Sequence, residues 1–245
     1  MNGLGDYVRD KSILPLNDQA ITVSFGEKID PDIRLEVQSF YQFIKDKNLS
    51  YIIDIVPTYT NVTIFFNRSE INFRTFEKIL NEQLDSFSLN DIDLQGKLVH
   101  IPVLYDGEDL DRVAKHHSCE VEDVVNRHMS KDYPVYMIGF LPGFPYLGGL
   151  DERLITPRLD SPRRSVEAGS VGIANNQTGI YPLESPGGWN LIGRTPVQIY
   201  QPELKEPFLF KVGDVVKFYE VNLSEYQHWM AEQKEPKWEW MNHED

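Results

Sequence analysis

Residues 139–196 read GFLPGFPYLGGLDERLITPRLDSPRRSVEAGSVGIANNQTGIYPLESPGGWNLIGRTP. These 58 residues hold 10 of the chain's 16 glycines and 7 of its 15 prolines. Glycine admits positive φ and close backbone approach, while proline fixes φ and removes a donor. Such a composition usually marks a linker. Here it is threaded with Phe140, Phe144, Tyr146, Ile173, Tyr181, Trp189 and Ile192, which are costly to leave in water. The stretch therefore reads as a folded surface built from loops and short strands.

Working outward, Val135–Ile138 precedes it as a strand, and further short strands are expected at 170–174, 179–182, 198–200, 208–210 and 214–219. Many short strands between frequent turns predict a closed or nearly closed β-barrel. Upstream, 110–117 and 121–128 read as two short helices. The acidic residues on and around them argue against a DNA-binding helix pair. A tail helix is expected over 224–233, capped by Ser224, and three of the four tryptophans follow residue 228.

The N-terminal part has a different grammar. A strand at 21–25 is followed by a helix over 30–48, with Asp30 as cap and Pro31 at the first helical position. Strands at 51–56 and 61–67, a helix over 74–86 and a strand at 98–104 complete a β-α-β-β-α-β order. That order predicts a ferredoxin-like α+β domain. The polar stretch 90–96 places the boundary, with a small α+β domain over 1–95 and the barrel with its tail over 96–245.

A formal net charge of −14 argues against nucleic acid and anionic membranes as partners. The single Cys119 excludes an intramolecular disulfide and points to a reducing compartment. No basic-then-apolar leader and no long apolar run is present, so a cytosolic location is expected. The chain has no phosphate-loop motif, no H-E-x-x-H, no paired C-x-x-C and no G-x-S-x-G. His116, His117 and His128 lack an acidic ligand at a suitable spacing, so no metal ligand set is expected.

Several residues stand out as candidates for a site. His128, beside an aromatic strand, suits acid–base work or hydrogen bonding, with a surface histidine at a helix end as the alternative. Tyr136, Phe140 and Phe144 form an aromatic run that reads either as core or as a pocket wall. Arg158 and Arg163 sit beside prolines in a stretch without lysine, a pattern suited to carboxylates or phosphates. Glu184–Trp189, which includes Ser185, Gly187, Gly188 and Trp189, with Gln177, Thr178 and Tyr181 before it and Asn190 and Arg194 after it, forms the densest polar group. The Gly187 and Gly188 amides could cradle an oxyanion or carboxylate. Trp189 offers a flat apolar wall, and Ser185 has no sequence-adjacent base.

GFLPGFPYLGGLDERL, TPR…SPR, AGSVGIA, QTGIYP and SPGGWNLIGRTP, in this order, resemble the KipI family, also called allophanate hydrolase subunit 1 or the 5-oxoprolinase B subunit. The likeness runs through roughly residues 97–220. It implies a cyclophilin-like β-barrel in the C-terminal half. It also implies one component of an ATP-dependent 5-oxoprolinase that opens 5-oxo-L-proline to L-glutamate. The implied partners are a KipA-type protein, which is the C subunit of such an enzyme, and a LamB/YcsF-type protein, which is its A subunit. ATP would lie in a site shared with a partner. The alternative is an inhibitor of a sensor histidine kinase. On the enzymatic reading His128 would transfer a proton or hydrogen-bond, and Gln177, Tyr181 and Ser185 would orient substrate. The Gly187–Gly188 amides with Arg158, Arg163 and Arg194 would hold its carboxylate or a developing phosphate. The chain departs from the family at Glu167, where proline is usual, and at Asn175-Asn176, where Gly-Gly is frequent.

Overall fold

The structure, a computed structural model, describes residues 11–89 and 96–241. The N-terminal residues on which a leader would lie, and most of the stretch 90–96 expected to hold the boundary, fall outside the described residues. The chain divides into two compact units, 1–94 and 95–245.

The first unit is a four-stranded antiparallel sheet with two helices. Its elements are β1 (Ser12–Asn17), β2 (Ala20–Ser24), α1 (Pro31–Asp46), β3 (Ile52–Pro57), β4 (Asn61–Phe66) and α2 (Phe73–Ser86), and the sheet order is β1-β2-β4-β3. Alternation on β4 turns Val62, Ile64 and Phe66 inward. Ile33, Val37, Phe40 and Ile44 recur at helical spacing on α1, and Phe76 and Leu80 do so on α2. They bury against the inward strand residues in one core. Asp30 caps α1 by accepting from the Asp32 and Ile33 amides at 2.9 and 3.3 Å.

Two expectations fail here. The strand at 98–104 does not complete this sheet; it belongs to the second unit. Its place beside β2 is taken by β1, where Pro15, Asn17 and Asp18 are turn signals in the sequence and no strand is expected. Proline is tolerated in β1 because β1 is an edge strand and one face of its backbone needs no donor.

The second unit holds β5 (Lys97–Val103), α3 (Leu110–His116), α4 (Val121–Met129), β6 (Asp132–Ile138), β7 (Pro145–Leu147), β8 (Arg163–Val166), β9 (Ser170–Ala174), β10 (Gln177–Ile180), β11 (Ser185–Gly187), β12 (Asn190–Arg194), β13 (Val215–Glu220), α5 (Leu223–Glu232) and β14 (Trp238–Trp240). Eight of its strands form one sheet in the order β12-β9-β10-β7-β6-β13-β5-β14, while β8 and β11 form a separate two-stranded ribbon. The pair β5–β13 is parallel and its sheet neighbours run antiparallel.

Of the closed or nearly closed barrel expected from the strand spacing, the fully closed form does not occur. The sheet ends at β12 and β14, and β12 meets the chain after β5 through the Leu104–Arg194 bridge, two backbone hydrogen bonds of 2.9 Å, and through the Gly107 and Asp109 amides to Ile192 O and Leu191 O at 3.3 and 2.9 Å. The short strands expected at 198–200 and 208–210 reduce to one bridge, Tyr200–Phe208. The tail helix is capped by Asn222 in a reciprocal pair with Glu225, not by Ser224.

Strands β9 and β10 are buried on both faces. Val171, Ile173 and Ile180 point into the main core with Val99, Ile101, Tyr133 and Phe218. The opposite face carries Gly172, Ala174 and Gly179, and a second cluster of Phe144, Tyr181 and Trp189 covers it. A Cβ on Gly179 would stand 3.1 Å from the Trp189 ring and 3.2 Å from the Phe144 ring. The small residues thus make room for the aromatic layer. The hairpin between these strands turns at Asn175 with φ of +52°, a conformation asparagine accepts more readily than most residues.

Candidate functional site

The Gly/Pro-rich stretch folds into an aromatic patch on the outer face of β9–β10. Trp189 is 5% exposed and meets Phe144 edge-on at 5.3 Å between ring centroids. Tyr146 lies 4.9 Å from Phe144 and 6.0 Å from Trp189, and Tyr181 meets Phe144 edge-on at 5.2 Å. At the rim, Phe140 has φ of +68°, is 65% exposed and stands perpendicular to Phe144 at 5.8 Å. The tight turn 139–144 holds it there through Leu141 N–H to Gly139 O at 2.8 Å and Gly139 N–H to Phe144 O at 3.1 Å.

Arg158 reaches this patch from the segment before β8. Its guanidinium lies 6.0 Å from the centre of the Trp189 ring. Burial raises the pKa of the Tyr146 and Tyr181 phenols, and the positive charge of Arg158 opposes that rise at both. The guanidinium therefore lies within electrostatic reach of two hydroxyls that border the patch.

Arg163 is also brought here but is already engaged. It donates to both oxygens of Asp109 at 2.8 Å, pairs with Glu108 at 2.9 Å and reaches the Trp189 carbonyl at 3.3 Å. Asp109 is 6% exposed and also accepts the Leu191 amide at 2.7 Å. The arginine expected to hold a ligand instead ties the β8–β11 ribbon to α3 and β12. Truncation of Arg163 to alanine leaves a buried carboxylate without its cation. The second unit should lose about 2–3 kcal/mol, read as a lower denaturation midpoint.

Gly187 and Gly188 are held in place by packing and by a carbonyl contact. Gly187 pairs opposite Arg163, and a Cβ on it would stand 2.3 Å from the Tyr181 hydroxyl, so glycine is required there by close packing. The Gly188 carbonyl accepts the Leu159 amide at 2.8 Å. Ser185 is buried, and its hydroxyl donates to the Pro186 carbonyl at 3.3 Å.

The remaining candidates are not in this patch. Arg194 forms a two-pronged pair with Asp106 at 2.7–3.2 Å and lies 5.0 Å over the Tyr226 ring, bracing the Leu104 bridge. Tyr136 is buried with its ring pressed on Gly148. Gln177 is half-buried at the start of β10, opposite Ala174.

His128, expected to transfer a proton or to hydrogen-bond, is a core residue with no exposed surface, a setting that suits hydrogen bonding. Its ring stacks on Phe218 at 4.6 Å. The Thr178 hydroxyl donates to the Gly172 carbonyl at 3.0 Å and so accepts from His128 Nε2–H at 2.9 Å. That leaves His128 Nδ1 to accept from the Tyr105 hydroxyl at 2.8 Å. Both nitrogens are committed, and burial lowers the pKa from 6.5 to about 3, so the ring is neutral. The same burial pushes the Tyr105 phenol well up.

Sequence reasoning picked out His128, and Thr178 and Asn190 within the polar group, but missed Asp109, Tyr105 and the Tyr105–His128–Thr178 connection. Asn190 is fully buried, accepts from Arg112, and donates to Pro157 O at 2.9 Å and Ile173 O at 3.0 Å. Asp109 stands in an acidic run that reads as a solvated face. Its position just before an apolar helical pattern was the available signal. Among the described residues, no group of three His, Cys, Asp or Glu side chains is placed to hold a metal ion, and no helix is long and apolar enough to cross a membrane.

The chain belongs to the family described as carboxyltransferase domain, subdomain C and D, which it matches over residues 11–210. Within that family it is similar to the 5-oxoprolinase B subunit of Bacillus subtilis, with 37% identity over 89% of this chain and 95% of the relative. It is similar also to the 5-oxoprolinase B subunit of Haemophilus influenzae, with 40% identity over 84% and 96%. Among solved structures, TTHA0988 matches with a TM-score of 0.75 and 33% identity over 84% of this chain. This chain spans only 40% of that one, so TTHA0988 carries further sequence beyond the shared part. The Kluyveromyces lactis urea amidolyase shares the fold, with a TM-score of 0.78 at 21% identity over 94% of this chain and 16% of that one.

Proposed function

We propose that this chain is the B subunit of a 5-oxoprolinase, which opens 5-oxo-L-proline to L-glutamate together with partner proteins and ATP. The observation that carries this reading is similarity to two proteins of that name along nearly their whole length. The partners would be a KipA-type protein as the C subunit of the enzyme and a LamB/YcsF-type protein as its A subunit.

Two of the three arginines of this chain that suited a phosphate are already engaged. The Gly187–Gly188 pair is packed against Tyr181 and hydrogen-bonded to Leu159, and Arg163 and Arg194 are held by Asp109 and Asp106. This supports placing the main ATP contacts on a partner. The part of the site contributed by this chain is the aromatic patch with Arg158, which suits binding and orientation of a substrate rather than proton transfer.

Co-expression with each partner in turn, followed by measurement of glutamate release, tests the assignment. Release should require ATP and the complete set of proteins. Full activity from this chain alone would overturn the division of the site, and no release from the complete set would overturn the reaction.

A further inference from the structure

Arg158 is set apart from the other arginines of its stretch. Arg153, Arg163 and Arg194 form ion pairs with Asp151, Asp109 and Asp106, whereas Arg158 and Arg164 have none among the described residues. It alone of the five lies against the Trp189 ring. Its backbone is clamped on both sides. The Pro157 carbonyl accepts from the buried Asn190 side chain at 2.9 Å, and the Leu159 amide donates to Gly188 O at 2.8 Å. Thr156, just upstream, bridges to Asn175. An exposed cation on a pinned backbone, resting against an indole face, has already lost much of the freedom that ligand binding would remove.

The surroundings are selective. Guanidinium is planar and presents a fork of donors that matches a carboxylate. The Trp189 and Tyr146 rings beside it offer an apolar wall, and Phe140 stands out at the rim in a backbone conformation that phenylalanine rarely adopts. Strained, exposed aromatic residues of this kind concentrate at ligand sites. A fork of donors beside aromatic faces fits a small acid with a compact, largely apolar body.

We propose that Arg158 anchors the carboxylate of a small ring-bearing acid whose body lies along the Tyr146–Trp189 edge of the patch. This rests on the functional reading above for the identity of the acid, 5-oxoproline, and on the geometry alone for its chemical class.

Binding to the full-length chain is measured by ligand-observed NMR, with 5-oxoproline and 2-pyrrolidinone as probes. The second is the same five-membered lactam without the carboxylate. The wild-type chain should bind 5-oxoproline more tightly than 2-pyrrolidinone, by about 10- to 100-fold for a charge-assisted pair. Arg158→Gln should abolish that difference, and Arg158→Lys should restore part of it. Arg164→Gln, a change at a neighbouring exposed arginine, should leave it intact. Thermal melting of each variant reports whether the fold is kept.

Equal binding of the two probes, no binding of either, or unchanged discrimination in Arg158→Gln would each overturn the anchor. In the assembled complex, Arg158→Gln should raise KM for 5-oxoproline with a much smaller change in kcat. If the complex turns over 5-oxoproline and Arg158→Gln leaves KM unchanged, the reaction stands and the anchor falls. If the chain discriminates through Arg158 but the complete complex releases no glutamate, the anchor stands and the reaction falls.

Discussion

Acidification from about pH 6.5 toward pH 4 will destabilise the second unit by up to about 1.4 kcal/mol per pH unit. The cause is His128. In the unfolded chain it protonates near its ordinary pKa of 6.5, whereas burial holds it neutral in the fold down to about 3. Between those values the unfolded state binds the extra proton, so stability falls as pH falls and is fully present only above about 6.5. Protonation in place would turn Nδ1 into a donor facing the Tyr105 hydroxyl, whose own proton now fills that bond. His117, lowered chiefly by burial and next by His116, adds a smaller slope of the same sign. The first unit, residues 1–94, contains no histidine and serves as an internal reference. His128→Gln keeps one acceptor and one donor but cannot be protonated. Denaturant midpoints measured across this pH range should fall steeply for the wild type and flatten for the variant. An equal slope in both would show that another group carries the acid sensitivity.

The short strands near 170–174 and 179–182 are legible because turn residues bound them, and so is α1, whose cap and apolar spacing are both local. The closure of the barrel was not legible. Strand spacing is local, whereas closure depends on whether β12 meets β5 along a ladder or only the chain after it, at Leu104, Gly107 and Asp109. The same distinction separates the site residues. Sequence picked out arginines by type, but Arg158, Arg163 and Arg194 differ in what stands opposite them. Asp109 lies 54 residues from Arg163 and Asp106 lies 88 from Arg194, separations over which pattern carries no pairing information. Gly187 reads like an anion-binding turn, and pattern does not show that the Tyr181 hydroxyl, six residues upstream, packs where a Cβ would stand. His128 was flagged correctly as unusual, but only its partners reveal that the unusual feature is burial.

Truncation of Trp189 to alanine should cost the second unit about 3–5 kcal/mol, the range for removal of a large buried aromatic ring. The indole covers Gly172 and Gly179, which lack side chains that could relax into the space. It also contacts Phe144 and Tyr146 from one side and carries Arg158 on its face. Collapse of the cavity would therefore have to come from Phe144, which is itself pinned by Tyr181 and the Phe140 turn. Trp189→Phe keeps a flat wall over the glycines and should cost about 1–2 kcal/mol, with part of the cavity remaining. The two variants separate packing from binding. If Trp189 only fills space, ligand discrimination should survive in the phenylalanine variant at full strength. If it also orients Arg158, the preference for 5-oxoproline over 2-pyrrolidinone should shrink in Trp189→Phe while the fold is retained. A loss under about 1 kcal/mol in the alanine variant would mean that the aromatic layer is not a second core, because a ring buried to this extent cannot be removed so cheaply from a packed interior.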